Sequence, residues 1–447
     1  MLEFFTTIDD FVWGPPLLVL LVGTGIYLTI RLGLLQVLRL PKAFKLIFAE
    51  DKGEGDISSF AALATALAAT VGTGNIVGVA TAIKTGGPGA LFWMWIAAFF
   101  GMATKYSEGL LAIKFRTLDD QGNVSGGPMY YITHGFSGKW QTIAKPLAYF
   151  FAFAGVLVAW LGIGTFSQVN SITASLQNSF DWSPKIVSVI LALITAAIIF
   201  GGIQSISKVS EKVVPFMAGL YILAALVVIF TNFNQLLPVL EMVFQSAFTG
   251  KAAVGGFAGA TVMVAMRLGI ARGVFSNESG LGSAPIAAAA AKTEEPVEQG
   301  LISMTGTFID TIIICTLTGL AILVTGQWSG SLEGAPMTQA AFSSIFGTFG
   351  ELALTLSLVL FAFTTVLGWS YYGERCFEFI FKSTKFLSFY RLIFVAMVAL
   401  GGYLTLDVVW KIADIVNGLM ALPNLIALLV LSPIIFKETK SYFERHK

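Results

Sequence analysis

Two stretches of the sequence decide the fold: Gly72-Thr73-Gly74-Asn75 and Phe275-Ser276-Asn277-Glu278-Ser279-Gly280-Leu281-Gly282. Each stretch lies inside a long apolar segment and combines glycines with polar side chains. In the hydrocarbon of a bilayer, every unpaired backbone N–H or C=O group costs several kcal/mol. A helix broken at that depth therefore persists only where the freed groups contact protein, water, an ion or a substrate. Two such breaks in corresponding halves of a chain are typical of secondary transporters with a midplane binding site.

The composition indicates a protein that crosses the membrane many times. Of the 447 residues, 56% are hydrophobic and 12% are charged, whereas about 25% are charged in an average soluble domain. The formal net charge is +1, and the sequence has no basic stripe of the kind that binds nucleic acid. We therefore expect the lipid bilayer as a partner and no nucleic acid. The absence of metalloprotease, phosphate-loop and nucleophile-elbow motifs argues against an enzyme.

Apolar runs of roughly 17–25 residues, the length that crosses a bilayer, predict an all-α membrane protein with eleven transmembrane helices. The predicted spans are residues 15–35, 58–84, 89–114, 145–177, 184–202, 209–231, 253–291, 301–326, 340–381, 389–405 and 410–436. The stretch 233–250 instead predicts a short amphipathic helix at the membrane surface.

Ten of these spans divide into two blocks of five. We expect an extra helix and a basic cytoplasmic loop in 1–57, the first repeat in 58–231, an extracellular connection in 232–252, and the second repeat with a cytoplasmic tail in 253–447. Each block opens with a broken helix, and an odd number of helices per block gives the two blocks opposite orientations. The pattern predicts a five-plus-five inverted repeat with two discontinuous helices.

The positive charges predict the orientation, because cytoplasmic loops carry an excess of Lys and Arg. With the N-terminus outside, most Lys and Arg residues fall in predicted cytoplasmic segments, among them Arg39, Lys42, Lys105, Lys114, Arg375 and the tail 437–447. The Lys residues that fall in predicted extracellular segments are Lys84, Lys185, Lys251 and Lys411. We therefore expect a multi-pass cell-membrane protein with an external N-terminus and a cytoplasmic C-terminus.

The first break has the chemistry of a binding site. Gly72 and Gly74 let the backbone approach a ligand closely, and the half-helix that restarts near Asn75 offers free N–H groups to a carboxylate. The carbonyls between Ala68 and Val71 are oxygen ligands of the kind that hard cations prefer. The alternative is a close helix–helix contact of small residues, but Asn75 has no purpose in such a contact.

The second break adds charge. Arg272 lies just before it and Glu278 lies within it, and charged residues at this depth are rare and usually paired. Two interpretations remain open: the two residues form a structural ion pair, or one of them gates, couples protons or orients the substrate. Asp310, near the middle of the eighth span, is a further candidate for ion binding or charge relay.

Other intramembrane polar and aromatic residues are candidates for lining the same site. The polar ones in the fourth and ninth spans are Thr165, Ser167, Gln168, Asn170, Thr364 and Thr365. Ser and Thr in helices often bond back to their own carbonyls, and Asn and Gln often join helices, so each has a structural alternative. We predict Phe166, Phe275 and Trp369 as bulky walls that exclude longer substrates, since lost fit alone discriminates by only about 1–3 kcal/mol per methylene.

Four motifs resemble the alanine or glycine:cation symporter family. They are ATVGTGNIVG (69–78), GGPGA (86–90), SGGPMYY (125–131) and FSNESGLGSAP (275–285). The resemblance covers essentially the whole chain. It implies a LeuT-like fold with one extra N-terminal helix, and sodium-driven import of small neutral amino acids, chiefly alanine and glycine, by alternating access.

The resemblance also implies ligands, because the first break is similar to the Gly-x-Gly-Asn break of LeuT-like neurotransmitter:sodium symporters. One Na⁺ is implied at the carbonyls of Ala68, Val71 and Phe361 and the hydroxyls of Thr364 and Thr365. A second Na⁺ is implied at the Thr70 carbonyl, Asn75 and Ser276, although Asn277-Glu278 departs from the matching break. The substrate carboxylate is implied on amides near Gly72 to Gly74.

The sequence thus predicts a sodium-coupled symporter. The predicted substrate-binding residues are Thr70, Gly72, Thr73, Gly74, Phe166, Gln168, Asn170, Phe275, Ser276, Asn277 and Trp369. Three alternatives stay open at this point. Glu278 or Asp310 could couple transport to protons instead; the chain could be a channel, which would need a continuous polar path; or it could be an intramembrane enzyme, for which acid–base pairs are missing.

Overall fold

The computed structural model describes residues 2–51, 53–249, 262–403 and 406–446. These residues are mostly helical. Up to residue 249 the helices are α1 (Leu2–Val12), α2 (Pro15–Arg31), α3 (Leu35–Leu38), α4 (Leu40–Ile47), α5 (Ser59–Thr70), α6 (Val79–Gly86), α7 (Gly89–Lys114), α8 (Pro128–Gly135), α9 (Gln141–Leu161), α10 (Phe166–Phe180), α11 (Pro184–Ile199), α12 (Gly202–Thr231) and α13 (Phe233–Thr249). A π-helical turn, Gly74–Gly78, leads directly into α6, and a short antiparallel hairpin of β1 (Thr117–Leu118) and β2 (Val124–Ser125) follows α7.

The second part of the chain is also helical. Its helices are α14 (Val262–Asn277), α15 (Ala284–Ala288), α16 (Pro296–Thr307), α17 (Thr316–Val324), α18 (Gly334–Phe346), α19 (Thr348–Phe381), α20 (Leu387–Leu400) and α21 (Leu406–Arg445). A second π-helical segment, Phe308–Cys315, joins α16 to α17. Short 3₁₀ turns lie at Gly138–Trp140, Gln327–Ser329, Thr384–Phe386 and Gly401–Tyr403.

Seven helical stretches in the described part are long and apolar enough to cross a membrane. They are Phe4–Arg31, Gly138–Phe180, Gly202–Thr231, Pro296–Val324, Thr348–Phe381, Thr384–Tyr403 and Lys411–Arg445. The bent pair of Ser59–Thr70 and Gly74–Gly86 makes an eighth candidate. These findings confirm a multi-pass helical membrane protein. The count of eleven stays a prediction: it also needs α7, α11 and the pair α14–α15, and residues 253–261 of the expected seventh span lie outside the described residues, as does Lys251.

Two predicted spans are each divided in the structure. In the fourth, α9 ends at Leu161 and α10 begins at Phe166, because Gly162 (φ −107°, ψ −137°) and Thr165 (φ −136°, ψ −72°) leave helical geometry. In the ninth, Gly347 (φ +59°) separates α18 from α19. The helix expected at 233–250 is present, within its described residues, as α13, and its position at the membrane surface stays a prediction.

The packing of α7 positions the site. This helix lies along α14 and α16, and glycines on its surface make the approach close. A Cβ atom on Gly101 would lie 2.9 Å from the Ser279 Cβ, and one on Gly109 would overlap the Ser303 Oγ. Real Cβ atoms do not approach neighbours so closely, so glycine permits α7 to lie directly against the second break at Gly101 and against α16 at Gly109.

Candidate functional site

The first break is a bend of 51° between α5 and the helix that resumes at Gly74. After Thr70 the backbone becomes extended at Val71 (φ −76°, ψ 93°). The side chain of Asn75 then accepts a hydrogen bond from the Gly72 N–H (2.8 Å). Asn75 thus satisfies a peptide group that the bend has freed, and the predicted break at this position is confirmed.

The second break begins later than we predicted. Phe275, Ser276 and Asn277 still belong to α14, since the Glu278 N–H donates a helical hydrogen bond to the Val274 carbonyl (2.8 Å). The chain unwinds over residues 278–283, where Glu278, Gly280 and Gly282 have φ of +57°, +90° and +81°. Positive φ is unfavourable for residues with a side chain, which explains the two glycines and marks Glu278 as a constrained position.

The two broken helices touch each other through a buried carboxylate. A Cβ atom on Gly74 would lie only 2.9 Å from the Ser276 Cα. Beside this contact, Asp310 accepts hydrogen bonds from Asn75 Nδ2 (2.7 Å), Ser276 Oγ (2.9 Å) and Thr311 Oγ1 (2.7 Å). Asp310 therefore connects the first break to the helix that leads into the second.

Asp310 lies on the π-helical segment Phe308–Cys315, and its side chain is fully buried. Short π-helical segments inside α-helices are frequent at functional sites. The three donors satisfy the buried Asp310 carboxylate, whose oxygens are of the kind that hard cations prefer. Among the described residues no cluster of three His, Cys, Asp or Glu side chains could hold a metal ion, so any cation here would depend on hydroxyl, amide and carbonyl oxygens as well.

The oxygens predicted to bind the first Na⁺ lie beside the first break. Thr364 and Thr365 both donate from their hydroxyls to the Phe361 carbonyl (3.0 and 3.1 Å). A Cβ atom on Gly72 would overlap Thr365 Oγ1, so the Gly72 backbone and the Thr365 hydroxyl are in close contact. The other two predicted ligands are fully buried at the end of α5, which packs against α19: they are Ala68 and Val71. The Thr70 hydroxyl bonds back to the Ala66 carbonyl (3.2 Å).

The fourth predicted span reaches the first break through Gln168, whose Oε1 accepts a hydrogen bond from the Thr73 N–H (3.3 Å). Both side chains are buried, and Gln168 Nε2 and Thr73 Oγ1 have no hydrogen-bond partner among the described residues. Residues two apart on a helix do not share a face. Asn170 is therefore turned away from the break that Gln168 faces.

Trp369, one of the predicted walls, lies between the second break and the interruption at 162–165. Its indole Nε1 donates to Glu278 Oε1 (2.8 Å), and a Cβ atom on Gly164 would lie 2.9 Å from the Trp369 Cβ. Trp369 is fully buried, Phe275 is 1% exposed and Phe166 is 7% exposed. The three aromatic side chains are thus interior surfaces and do not face lipid.

Of the two interpretations left open for Arg272 and Glu278, a structural ion pair between them is wrong. Arg272 forms a bidentate salt bridge with Asp414 on α21 (3.0 and 2.9 Å), while Glu278 accepts hydrogen bonds from Trp369 and Ser283. Because six residues of helix turn the chain through roughly 240° beyond one full turn, the two side chains point in different directions.

Two buried charged residues on α7 are functional candidates that the sequence did not predict as site residues. Lys105, which we placed in a cytoplasmic loop, lies inside α7, is 2% exposed, and donates from Nζ to the Asn277 carbonyl (2.8 Å). Glu108 is fully buried, and its Oε1 accepts from the N–H groups of Gly280 (3.2 Å) and Gly282 (3.1 Å). The signal that could have revealed them is a pair of opposite charges one turn apart in the apolar run 89–114.

The start of the first broken helix is joined to the end of the second. Ile57, just before α5, forms a β-bridge with Ala291, just after α15. The Arg116 guanidinium donates to four backbone carbonyls around this bridge, those of Glu54, Ala289, Ala291 and Thr293. Burial raises the pKa of the nearby Asp56 carboxyl, which accepts a hydrogen bond from the Val124 N–H (2.9 Å).

A cavity of about 530 Å³ lies against Asp119, Tyr130 and Lys382. None of the predicted site residues lines this cavity.

Two broken helices that meet at a buried polar centre are typical of the LeuT-like fold of secondary transporters. The fold is similar to that of MhsT in complex with L-phenylalanine, with a TM-score of 0.54 and 14% identity over 86% of this chain and 99% of that chain. The chain belongs to the sodium:alanine symporter family, whose sequence profile matches residues 1–447. This confirms the family expected from the four motifs.

Two relatives illustrate the family. The sodium/alanine symporter AgcS of Methanococcus maripaludis is 51% identical over 448 residues, which is 99% of this chain and 97% of the relative. The probable sodium/glutamine symporter GlnT of Bacillus subtilis is 40% identical over 444 residues, or 98% of this chain and 90% of the relative.

Proposed function

We propose that this protein imports alanine, and also glycine, together with Na⁺ by alternating access. The observation that carries the proposal is the contact between Gly72 and Thr365, since it joins the amides predicted to bind a substrate carboxylate to the hydroxyls predicted to bind Na⁺. The relative at 51% identity, named a sodium/alanine symporter, supports alanine over the glutamine of the relative at 40% identity.

The first Na⁺ would be held by five oxygens from α5 and α19. The Thr364 and Thr365 hydroxyls each carry two lone pairs besides the proton, so their present bonds to the Phe361 carbonyl leave them free to face a cation. The remaining oxygens are the carbonyls of Phe361, Ala68 and Val71. Such a set of neutral hard ligands suits Na⁺ better than a soft transition metal.

The substrate would lie against the first break. The Gly72 and Thr73 N–H groups already have partners in Asn75 and Gln168. A substrate carboxylate would therefore take the Gly74 N–H together with Gln168 Nε2 and Thr73 Oγ1, or displace the Gln168 oxygen from Thr73. Trp369, Phe275 and Phe166 would form the walls that limit the side chain to the size of alanine.

A second Na⁺ would lie at Asp310. Asn75 and Ser276, which the resemblance implies as ligands, both bind this carboxylate, and a cation there would neutralise its charge. We regard the Thr70 carbonyl as the remaining ligand. Proton coupling through Asp310 or Glu278 is the rival interpretation, and only the driving ion distinguishes the two.

We also propose the eleven-span topology with an external N-terminus and a five-plus-five inverted repeat. The exposed apolar side chains of α11 and α12 support membrane spans at these two helices, because large exposed apolar patches mark contact with lipid or another protein. The exposed side chains include Leu193 (66% exposed), Leu223 (65%) and Phe216 (63%).

The test is uptake of radiolabelled alanine by proteoliposomes of the purified protein. We expect accumulation under an inward Na⁺ gradient, none under a matched K⁺ gradient, and inhibition by excess glycine more than by excess glutamine. Alanine uptake driven by a pH gradient in sodium-free buffer would favour proton coupling. Equal uptake in Na⁺ and K⁺ would overturn the proposal of sodium symport.

A further inference from the structure

The second break frees backbone groups of opposite polarity at its two edges. Asn277 is the last residue of α14, so its carbonyl points beyond the end of the helix. On the other side, the N–H groups of Gly280 and Gly282 precede the first residue of α15 and have no helical partner. In a bilayer each of these groups needs a partner from elsewhere.

One helix supplies the partners for both edges. Lys105 and Glu108 are three residues apart on α7, hence on one face of that helix. The Lys105 ammonium binds the Asn277 carbonyl (2.8 Å), and Glu108 Oε1 binds the two glycine N–H groups (3.2 and 3.1 Å). The spacing of the two side chains along α7 thus matches the width of the unwound turn.

The signs of the charges match the polarity of the break. The C-terminal end of a helix carries partial negative charge and favours a cation, and α14 ends at the residue that Lys105 binds. Freed N–H groups bind a carboxylate in charge-assisted hydrogen bonds, which are about twice as strong as neutral ones. An exchange of the two charges would place each beside groups of like polarity.

We propose that Lys105 and Glu108 form a charged clamp that keeps the second break unwound and aligned with the first, and so act as positioning residues for transport. The inference rests on the proposed function, because alignment of the breaks matters only if a substrate binds between them. Because Lys105 and Glu108 already bind the Asn277 carbonyl and the N–H groups of Gly280 and Gly282, these backbone groups are not ligands of the substrate or the ions.

The clamp also has a hydrogen bond to a helix other than α7 and the broken helix. Asn424 of α21 donates from Nδ2 to Glu108 Oε1 (2.6 Å) and to the Gly280 carbonyl (2.9 Å), and it accepts from the Tyr131 hydroxyl. Asn424 thus links α21 to the same buried network, and this link would have to break if α21 moved relative to α7 and the broken helix.

Hydrogen–deuterium exchange of the full-length protein in detergent tests the clamp without depending on transport. The variants are Glu108→Ala, the isosteric Glu108→Gln, Lys105→Met and the charge-conserving Lys105→Arg. A control on the same helix is Lys114→Met, which removes an exposed salt bridge to Glu438. Losing a hydrogen bond to a charged group should raise amide exchange in residues 276–283 by about 10- to 100-fold in Glu108→Ala and Lys105→Met, and less in the two conservative variants.

Peptides that cover the first break, residues 66–78, serve as the internal reference and should keep their wild-type exchange rate. In proteoliposomes, the KM for alanine should rise about tenfold or more in Glu108→Ala and recover in part in Glu108→Gln, while Lys114→Met stays as wild type. Unchanged protection of 276–283 in both Glu108→Ala and Lys105→Met would overturn the clamp, as would a loss of protection spread evenly over all helices. If wild-type protein shows no sodium-driven alanine uptake while the exchange results hold, the proposed function fails and the clamp stands.

Discussion

The contact between the two breaks at Gly74 predicts a large effect from one added methyl group. In Gly74→Ala the new Cβ would lie 2.9 Å from the Ser276 Cα, 3.1 Å from its Cβ and 3.3 Å from its Oγ. Non-bonded carbon atoms prefer about 3.5–4.0 Å, so the two helices must separate by roughly 0.6–1.1 Å. Because the nearest atom is backbone, rotation of the Ser276 side chain does not remove the clash.

This separation acts directly on the polar centre. Ser276 Oγ donates to Asp310 at 2.9 Å, and a shift of about 1 Å takes that pair beyond hydrogen-bonding distance. Inserting a methyl group into a packed interior costs about 1–3 kcal/mol, which corresponds to about 5- to 150-fold in a coupled binding constant. Alanine is a better helix former than glycine, so a change in helix propensity at position 74 would not explain weaker substrate binding.

The assay is equilibrium binding of radiolabelled alanine to purified protein in NaCl, with the KM of uptake measured in parallel. We expect Gly74→Ala to weaken alanine binding by about 5- to 150-fold. The matched control is Gly219→Ala in α12, where a Cβ atom meets nothing within 4 Å, and its affinity should equal that of wild type. Wild-type affinity in Gly74→Ala would show that the contact between the breaks does not shape the substrate site.

Three further predictions concern ions and charges. Thr364→Val combined with Thr365→Val should abolish sodium stimulation of alanine uptake, since both hydroxyl ligands are lost; sodium-stimulated uptake at the wild-type level would contradict this. Asp310→Asn should lower the Hill coefficient of sodium activation toward one, because a single cation site would remain, and an unchanged coefficient would argue against a second Na⁺ there. Arg272→Met leaves Asp414 as an unpaired buried charge, which costs about 3–5 kcal/mol, so the melting temperature should fall more than in the double variant with Asp414→Asn; equal or additive losses would refute this pairing.

The sequence predicts the first break accurately because the groups that form it are close together in the chain. The Gly72 N–H that the bend frees binds the side chain of Asn75, three residues later. The second break is displaced by three residues for an equally local reason: α14 continues through polar residues as long as each N–H finds its helical carbonyl. The interruption at 162–165 was missed because its motif, Gly-Ile-Gly-Thr, contains little that would be out of place in an apolar helix. Composition alone cannot distinguish it from the many glycines that remain helical.

The charged residues were predicted less well, because their partners are distant in sequence. Asp414 lies 142 residues from Arg272, whereas Glu278 lies close by and was the only partner that a local argument could offer. Lys105 was placed in a loop by the rule that positive charge lies in the cytoplasm. That rule fails where a buried helix end offers the charge a partner, as the Asn277 carbonyl does.

The geometry of Asn75 explains how Na⁺ and substrate could affect each other. Its side chain accepts from the Gly72 N–H (2.8 Å) and donates to Asp310 (2.7 Å), which in turn accepts from Ser276 (2.9 Å). Gly72 also contacts Thr365 of the proposed sodium site. A cation that draws Thr365 and the Gly72 backbone into one arrangement therefore fixes the orientation of Asn75, and through Asp310 the position of α14. Because such coupling is reciprocal, a substrate that binds between the breaks must tighten the sodium site by the same free energy.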